Sequence, residues 1–418
     1  MLVALFSSAL LAGCGSSAGG GSSSTLSIDA FTPLSGPEAV FGPESTYGCL
    51  TGIEVINAAG GVLGHQLQCV ATDSRGDAAD AVPAAQQMLA TVPNLVGVVG
   101  PSTNEAPSTV PIFEKAYIPM IAQTGDPQYD HANLKYFYRS TPADDINGLA
   151  MDVWAYKQKG FRRAAAVFGN DVAGQGVVPN LVRGFQQLGG TVVSNQKLAL
   201  DQNSYRTEVA QLKAAQPDVI FTELDPQTAA TFFGELKEIN GLVPVVGDGG
   251  TIGYPAWVTA VQGAIGADDM SKFYSGVQIL NPDSGPGYDA FAKAVVKIKI
   301  KDPSQFLHDP YTTTNYDGIV ALALAMTASK STDPTVFNDY FLKIVNGTTG
   351  ATTVNTYADG VAALNAGKTV HFVGSAGSIH FDQYHNAALP FEVDTVKSDQ
   401  SLVRQGIVPS ADVTALEQ

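Results

Sequence analysis

The chain has 418 residues, of which 45% are hydrophobic and 15% charged, with a formal net charge of −16 at pH 7. That balance suits a protein with real cores and not a disordered chain, and the length suggests about two domains. No Lys/Arg run is long enough to track phosphates, which excludes nucleic acid as a partner and an anionic bilayer surface as a landing site.

Residues 1–13, "MLVALFSSALLAG", read as the end of a secretory signal peptide, too short to span a bilayer as a mature helix. No Lys or Arg precedes this apolar run, so a truncated start is expected. The tetrapeptide Leu11-Ala12-Gly13-Cys14 resembles the lipobox of bacterial lipoproteins, which implies cleavage before Cys14 and lipid on its sulfur. Residues 15–24 are Gly/Ser, a flexible tether between an anchor and a folded body. Later, "IVALALAMTA" is flanked by polar residues, so no membrane span is expected. Two more cysteines, Cys49 and Cys69, fall in the first helix and second strand. In an oxidising compartment they pair, or else they are two small buried hydrophobes.

After the tether, short apolar runs alternate with amphipathic helical patterns. "LSIDAF" is a strand and "PESTYGCLTGIEVINAA" a helix, ended by Gly60-Gly61 in the left-handed conformation. Gly64 then gives a tight entry to the strand "HQLQCVATD". Further strands are "LVGVVG", "IPMIA", "AAAVFG", "TVVSNQKL", "PDVIFTEL" and "VPVVGDGG", with helices near 105–116, 176–189, 205–215 and 226–240. "VKIKIKDPSQFLHDPYTTTNYDGIVALALAM" reads as one long helix, and shorter β-like runs fill the tail. The expected fold class is α/β, with two doubly wound parallel sheets.

In such sheets ligands sit outside the carboxyl ends of the strands. The loops there are polar: Ser102-Thr103-Asn104, Gln123-Thr124-Gly125, 170–176, Glu223-Leu224-Asp225 and Asp248-Gly249-Gly250. Hydroxyls and carboxylates in these places can cap the next helix, and free N–H groups can hold an anion.

"FTPLSGPEAVFG", "GIEVINAAGGVLGHQLQCVATDSRGD", "VVGPSTNEAPSTVPIFEKAYIPMIAQTG" and "FDQYHNAA" occur in the order seen in type I periplasmic binding proteins. The chain most resembles the branched-chain amino-acid receptors of ABC transporters. The resemblance implies two Rossmann-like lobes joined by three crossings, near 140–144, 275–279 and 379–383. Residues 25–141 and 277–379 would form one lobe, and 142–276 and 380–418 the other. It also implies ligand-binding roles. Phe41 would pack on the ligand. Ser102, Thr103 and Asn104, with Gln123, Thr124 and Gly125, would hold a carboxylate. Asp248 would take an amine, and Leu224 and Asp225 would lie in a wall loop. Ala173 and Leu224 stand where relatives carry aromatics, so the second-lobe wall looks smaller. Glu223 and Asp225 add negative charge, which favours an amine-bearing solute over a plain dicarboxylate.

Enzyme signatures are missing: there is no G-x-S-x-G elbow and no P-loop, and no cofactor is called for. His380, Asp382 and His385 do not make a convincing zinc site, and His308-Asp309 reads as a loop. Asp144-Asp145 fits the positive end of a helix dipole better than an acid/base pair. The expected protein is therefore a monomeric receptor that closes on an amino acid or a related amine or amide. It would dock on an ABC permease and touch the membrane only through its lipid. A sensor for a signalling partner is the alternative, as is a receptor for another organic solute such as an aromatic acid.

Overall fold

The computed structural model describes residues 24–36, 38–279, 285–300, 303–307, 309–387 and 391–417. Cys14, the signal and most of the tether lie outside these residues, as does His308. No helix among the described residues is long and apolar enough to cross a membrane.

The first sheet contains β1 (Leu26–Thr32), β2 (Leu67–Asp73), β3 (Leu95–Ser102), β4 (Met120–Gln123) and β5 (Phe137–Arg139). Their spatial order is β2-β1-β3-β4-β5, and every pair is parallel. The second contains β6 (Arg163–Gly169), β7 (Thr191–Leu198), β8 (Val219–Glu223), β9 (Val245–Gly247) and β10 (Tyr274–Ile279). It repeats the order as β7-β6-β8-β9-β10. Between the chain segments of this sheet lies a small pair, β11 (Thr352–Val354) and β12 (Val370–Phe372). β13 (Phe391–Val396) and β14 (Leu402–Val408) then join the second sheet antiparallel at its β10 edge. Parallel strands are covered on both faces, so β1 is buried at all seven positions, its polar Ser27, Asp29 and Thr32 included.

The first helix-to-strand turn shows how local chemistry builds this pattern. The helix Gly42–Ala58 ends in a Schellman motif: Gly61 N–H donates to Ile56 O (2.9 Å) and Gly60 N–H to Asn57 O (3.0 Å). Gly61 has φ +78°, and a Cβ there would stand 2.0 Å from His65 O, so only glycine fits. The Asn57 side chain then clamps the start of β2, donating to Leu67 O (2.8 Å) and accepting from Leu67 N–H (2.9 Å). A disulfide joins Cys49 of that helix to Cys69 of β2, with Cα atoms 6.0 Å apart.

Several expectations shift. The long helix begins only at Pro310, because Asp309 caps it by accepting from Tyr311 and Thr312 N–H, and it runs to Ser329. The first part of the expected helix instead follows a separate helix, Tyr288–Val295, and among its described residues contains only a short 3₁₀ turn, Pro303–Phe306. The crossings also move. Val277 of β10 packs in the second lobe's core, so the chain leaves that lobe after β10 and not within it. Phe381 and Ala387 still belong to the first lobe's core while Phe391 belongs to the second, so the last crossing follows Ala387 and lies beyond 379–383. Hydrophobic contact, which only the folded chain displays, decides both boundaries.

The disulfide closes a loop of 20 residues. Replacing both cysteines by alanine is expected to cost about 3 kcal/mol, mainly by freeing the unfolded chain. Urea unfolding of the double variant beside the oxidised parent checks this; equal midpoints would show that the bridge adds nothing.

Candidate ligand-binding site

The carboxyl ends of the two parallel sheets face one another across a cleft that encloses a cavity of about 70 Å³. β1 leads into Glu38 and Phe41, β3 into Ser102, Thr103 and Asn104, and β4 into Gln123 and Gly125. From the other side β6 leads into Ala173, β8 ends on Glu223, and β9 leads into Asp248 and Gly250. Glu44, Thr141, Asp144, Asn147, Tyr254 and Tyr311 complete the wall.

Eight of the residues singled out in the sequence thus meet at one cavity: Phe41, Ser102, Thr103, Asn104, Gln123, Gly125, Ala173 and Asp248. Three do not line it. Thr124 is fully buried, and its hydroxyl accepts from Asp126 N–H (3.3 Å). Leu224 packs in the second lobe's core, and its carbonyl accepts from Trp257 Nε1 (2.8 Å). Asp225 caps the helix Pro226–Glu238, accepting from Gln227 and Thr228 N–H. Plain helix capping explains Asp225 and replaces a ligand contact. Asp144 starts a helix, yet it is also a cavity wall, which its sequence context did not show. Sequence reasoning also passed over Glu38 and Glu44, although these two acids bracket Phe41 in "PEAVFGPES". Tyr254 and Tyr311 had no signal beyond following polar loops.

The cleft is shut. Val40, Phe41 and Tyr311, which come from the first lobe's segments, pack against the second lobe's core. Phe41 meets Tyr254 edge-on at 4.7 Å between ring centroids, and Tyr254 stacks on Tyr311 at 6.1 Å. Asn104 bridges the lobes: its Oδ1 accepts from Ala173 N–H (3.1 Å) and its Nδ2 donates to Asp171 Oδ2 (3.3 Å).

The electrostatics are one-sided. Burial pushes Asp144 well above the usual carboxylate range; the charge of Asp248 adds to this, and Arg139 offsets part of it. Burial likewise raises Glu223, with Asp248 and then Asp144 adding to it. Asp248 rises with them through burial, restrained by hydrogen bonding to Glu223 and to the Gly250 N–H. Burial raises Glu44 too, with Asp309 next in weight. Glycines make room for these acids: a Cβ at Gly125 would stand 1.7 Å from Asp144 Oδ1, and one at Gly250 3.0 Å from Glu223 Oε1.

With this geometry in view, the relatives are informative. A model of the family described as periplasmic binding protein matches residues 25–387. The chain belongs to the periplasmic binding protein family. Membership implies an extracytoplasmic location. Among its relatives are a Pseudomonas aeruginosa amino acid binding protein (26% identity; 72% of this chain, 78% of the relative) and Brucella suis Leu/Ile/Val-binding protein homolog 7 (27%; 79% and 83%). Among solved structures, a leucine-binding protein from Thermotoga maritima aligns with TM-score 0.73 at 18% identity, over 93% of this chain and 100% of that one. A benzoate-bound solute-binding protein from R. palustris aligns with TM-score 0.70 at 18% identity, over 92% and 96%. These structural likenesses show the two-lobed α/β fold of this binding protein.

Two outcomes are expected from the site. Asn104→Ala removes the polar bridge between lobes and should enlarge the radius of gyration of the ligand-free protein in small-angle X-ray scattering; an unchanged radius would mean that the aromatic contacts alone hold the cleft. The buried acids predict a pH dependence. Their folded pKa values lie above the unfolded ones, so between about pH 4 and 7 the folded state binds more protons, and stability falls as pH rises. Asp29, which accepts from Thr72 Oγ1 (2.8 Å), is pushed by burial from 3.8 to about 7 and belongs to the same set. The ligand-free protein should melt higher at pH 5 than at pH 8, and Asp29→Asn should narrow that gap. A melting temperature that rises with pH would refute the assignment.

Proposed function

We propose that this protein is the solute receptor of an ABC importer. It captures an amine-bearing small molecule, an amino acid or a close relative, by lobe closure and presents the closed form to a permease. The observation that carries this reading is the shut cavity at the carboxyl ends of both sheets, walled by residues of both lobes. Hinge closure around a ligand is an established use of paired lobes, and a closed site buries its polar contacts where they are strong. The amino-acid receptors among the relatives support an amine-bearing solute, and the position of Asp248 in the cavity wall supports our assigning it to the amine. The same reading makes Cys14 a lipid anchor, residues 15–24 a tether, and the protein a monomer. The three crossings act as its hinge, between a lobe built around residues 25–141 and a second built around 142–276.

A thermal-shift panel of amino acids, amines, amides and aromatic acids tests the proposal. A true ligand at about 100 times its Kd stabilises by about 2.7 kcal/mol, which at this size raises the melting temperature by roughly 3 °C. Asp248→Ala should weaken an amine-bearing ligand by about 2–5 kcal/mol in titration calorimetry. Unchanged affinity would remove Asp248 from the site.

A further inference from the structure

We infer that the cleft is shaped for a short α,ω-diamine that carries no carboxylate. The inference rests on the receptor reading above and narrows its solute class.

Five carboxylates line the cavity, from Glu38, Glu44, Asp144, Glu223 and Asp248, and among the described residues no Lys, Arg or His does. Arg139 is the basic group beside Asp144 and offsets part of its shift, but the hydrogen bonds of both its terminal nitrogens go elsewhere. It pairs with Asp130 Oδ1 (2.5 Å) and donates to the carbonyls of Gly125 (3.5 Å) and Asp126 (3.2 Å). Asp144 is only 7% exposed, and its Oδ2 has no hydrogen-bond partner; neither does Glu223 Oε2. A buried carboxylate oxygen with nothing to accept from is costly, and a cationic donor in the cavity would satisfy it.

Two of the donors a ligand carboxylate would use are engaged within the protein. Of the N–H groups that would hold one, Ser102 N–H donates to Glu105 Oε1 (3.2 Å) and Gly125 N–H to Thr103 Oγ1 (3.0 Å). Glu105 itself is fully buried behind that loop, so an incoming anion would meet another acid.

The acids form two poles, one from each lobe: Glu38 and Glu44 follow β1, while Asp144, Glu223 and Asp248 stand on second-lobe elements. Asp248 raises both Asp144 and Glu223, and Asp171 acts on Glu223 and Asp248. Glu44 stands apart, with Asp309 as its acidic neighbour. The rings of Phe41, Tyr254 and Tyr311 lie along the wall, and Tyr311 feels both Glu44 and Asp248. Two cationic ends with a methylene spacer match this layout: each ammonium faces a pole, and the spacer lies on the rings. Size agrees. A cavity of about 70 Å³ admits a small solute and no bulky one. A metal ion fits worse, because no group of three or more His, Cys, Asp or Glu among the described residues is placed to share one.

The test is titration calorimetry of the protein with 1,4-diaminobutane, butylamine, leucine, lysine, a neutral amide and benzoate at pH 7.5. The diamine should bind at least about thirtyfold more tightly than butylamine, which leaves one pole unpaired, and more tightly than leucine or lysine. Repeating the titration at pH 6.5 in buffers of different ionisation enthalpy should show proton release, because the ammonium groups displace protons held by the raised carboxyls. Glu44→Gln and Glu223→Gln should each weaken the diamine about tenfold or more while raising the ligand-free melting temperature at pH 8. A merely structural role would lower both together. Tighter binding of leucine or lysine overturns the diamine and leaves the receptor standing. Binding of benzoate or the amide, with every amine silent, overturns the diamine and the amine-receptor reading alike. Silence across all six compounds, or diamine affinity unchanged in both variants, also overturns it.

Discussion

A carboxylate removed from water needs a cation or several hydrogen-bond donors, and the cleft supplies neither in full. Asp144, Glu223 and Asp248 converge between the lobes, with Arg139 engaged by Asp130 and backbone carbonyls. Burial between the lobes therefore favours their protonated forms. That constraint links the main features of the site: the glycines that let the acids approach and the aromatic contacts that join the lobes beside them. The net charge of −16 adds a long-range attraction for cations to the local one.

The fold places this burden where it can be used. Both sheets carry the same order of five parallel strands, so both direct their carboxyl ends, and the loops after them, toward one crevice. The loops that follow β1, β3, β4, β6, β8 and β9 each contribute to the wall. Rigid strands position the side chains, while Asn104 and the Phe41–Tyr254 pair join the lobes by contacts weak enough to break when they open.

Helix termini explain why some polar loop residues are not site residues. Asp225, Asp171 and Asp309 each occupy an N-cap and accept from the first helical N–H groups. Asp248 follows a strand just as Asp225 does, but no helix of its own begins there, so its carboxylate remains for the cavity. The two loops look alike in sequence, and the difference between them is what comes next in the chain.

Strand and helix alternation, the Gly60-Gly61 stop and the polar loops after each strand were legible in the sequence, because hydrophobic period and backbone conformation are local properties. So was most of the first-lobe wall, since the residues after β3 and β4 must lie at the carboxyl ends of their strands. The partition of the tail between the lobes was not, because Phe381 and Phe391 are equally apolar and only packing assigns them. Nor was the company of the acids. Glu44, Asp144, Glu223 and Asp248 are spread over some two hundred residues, and each alone resembles an ordinary surface or capping acid. Their shared burial, which gives the site its chemistry, is a property of distances across the cleft that no single stretch of sequence contains.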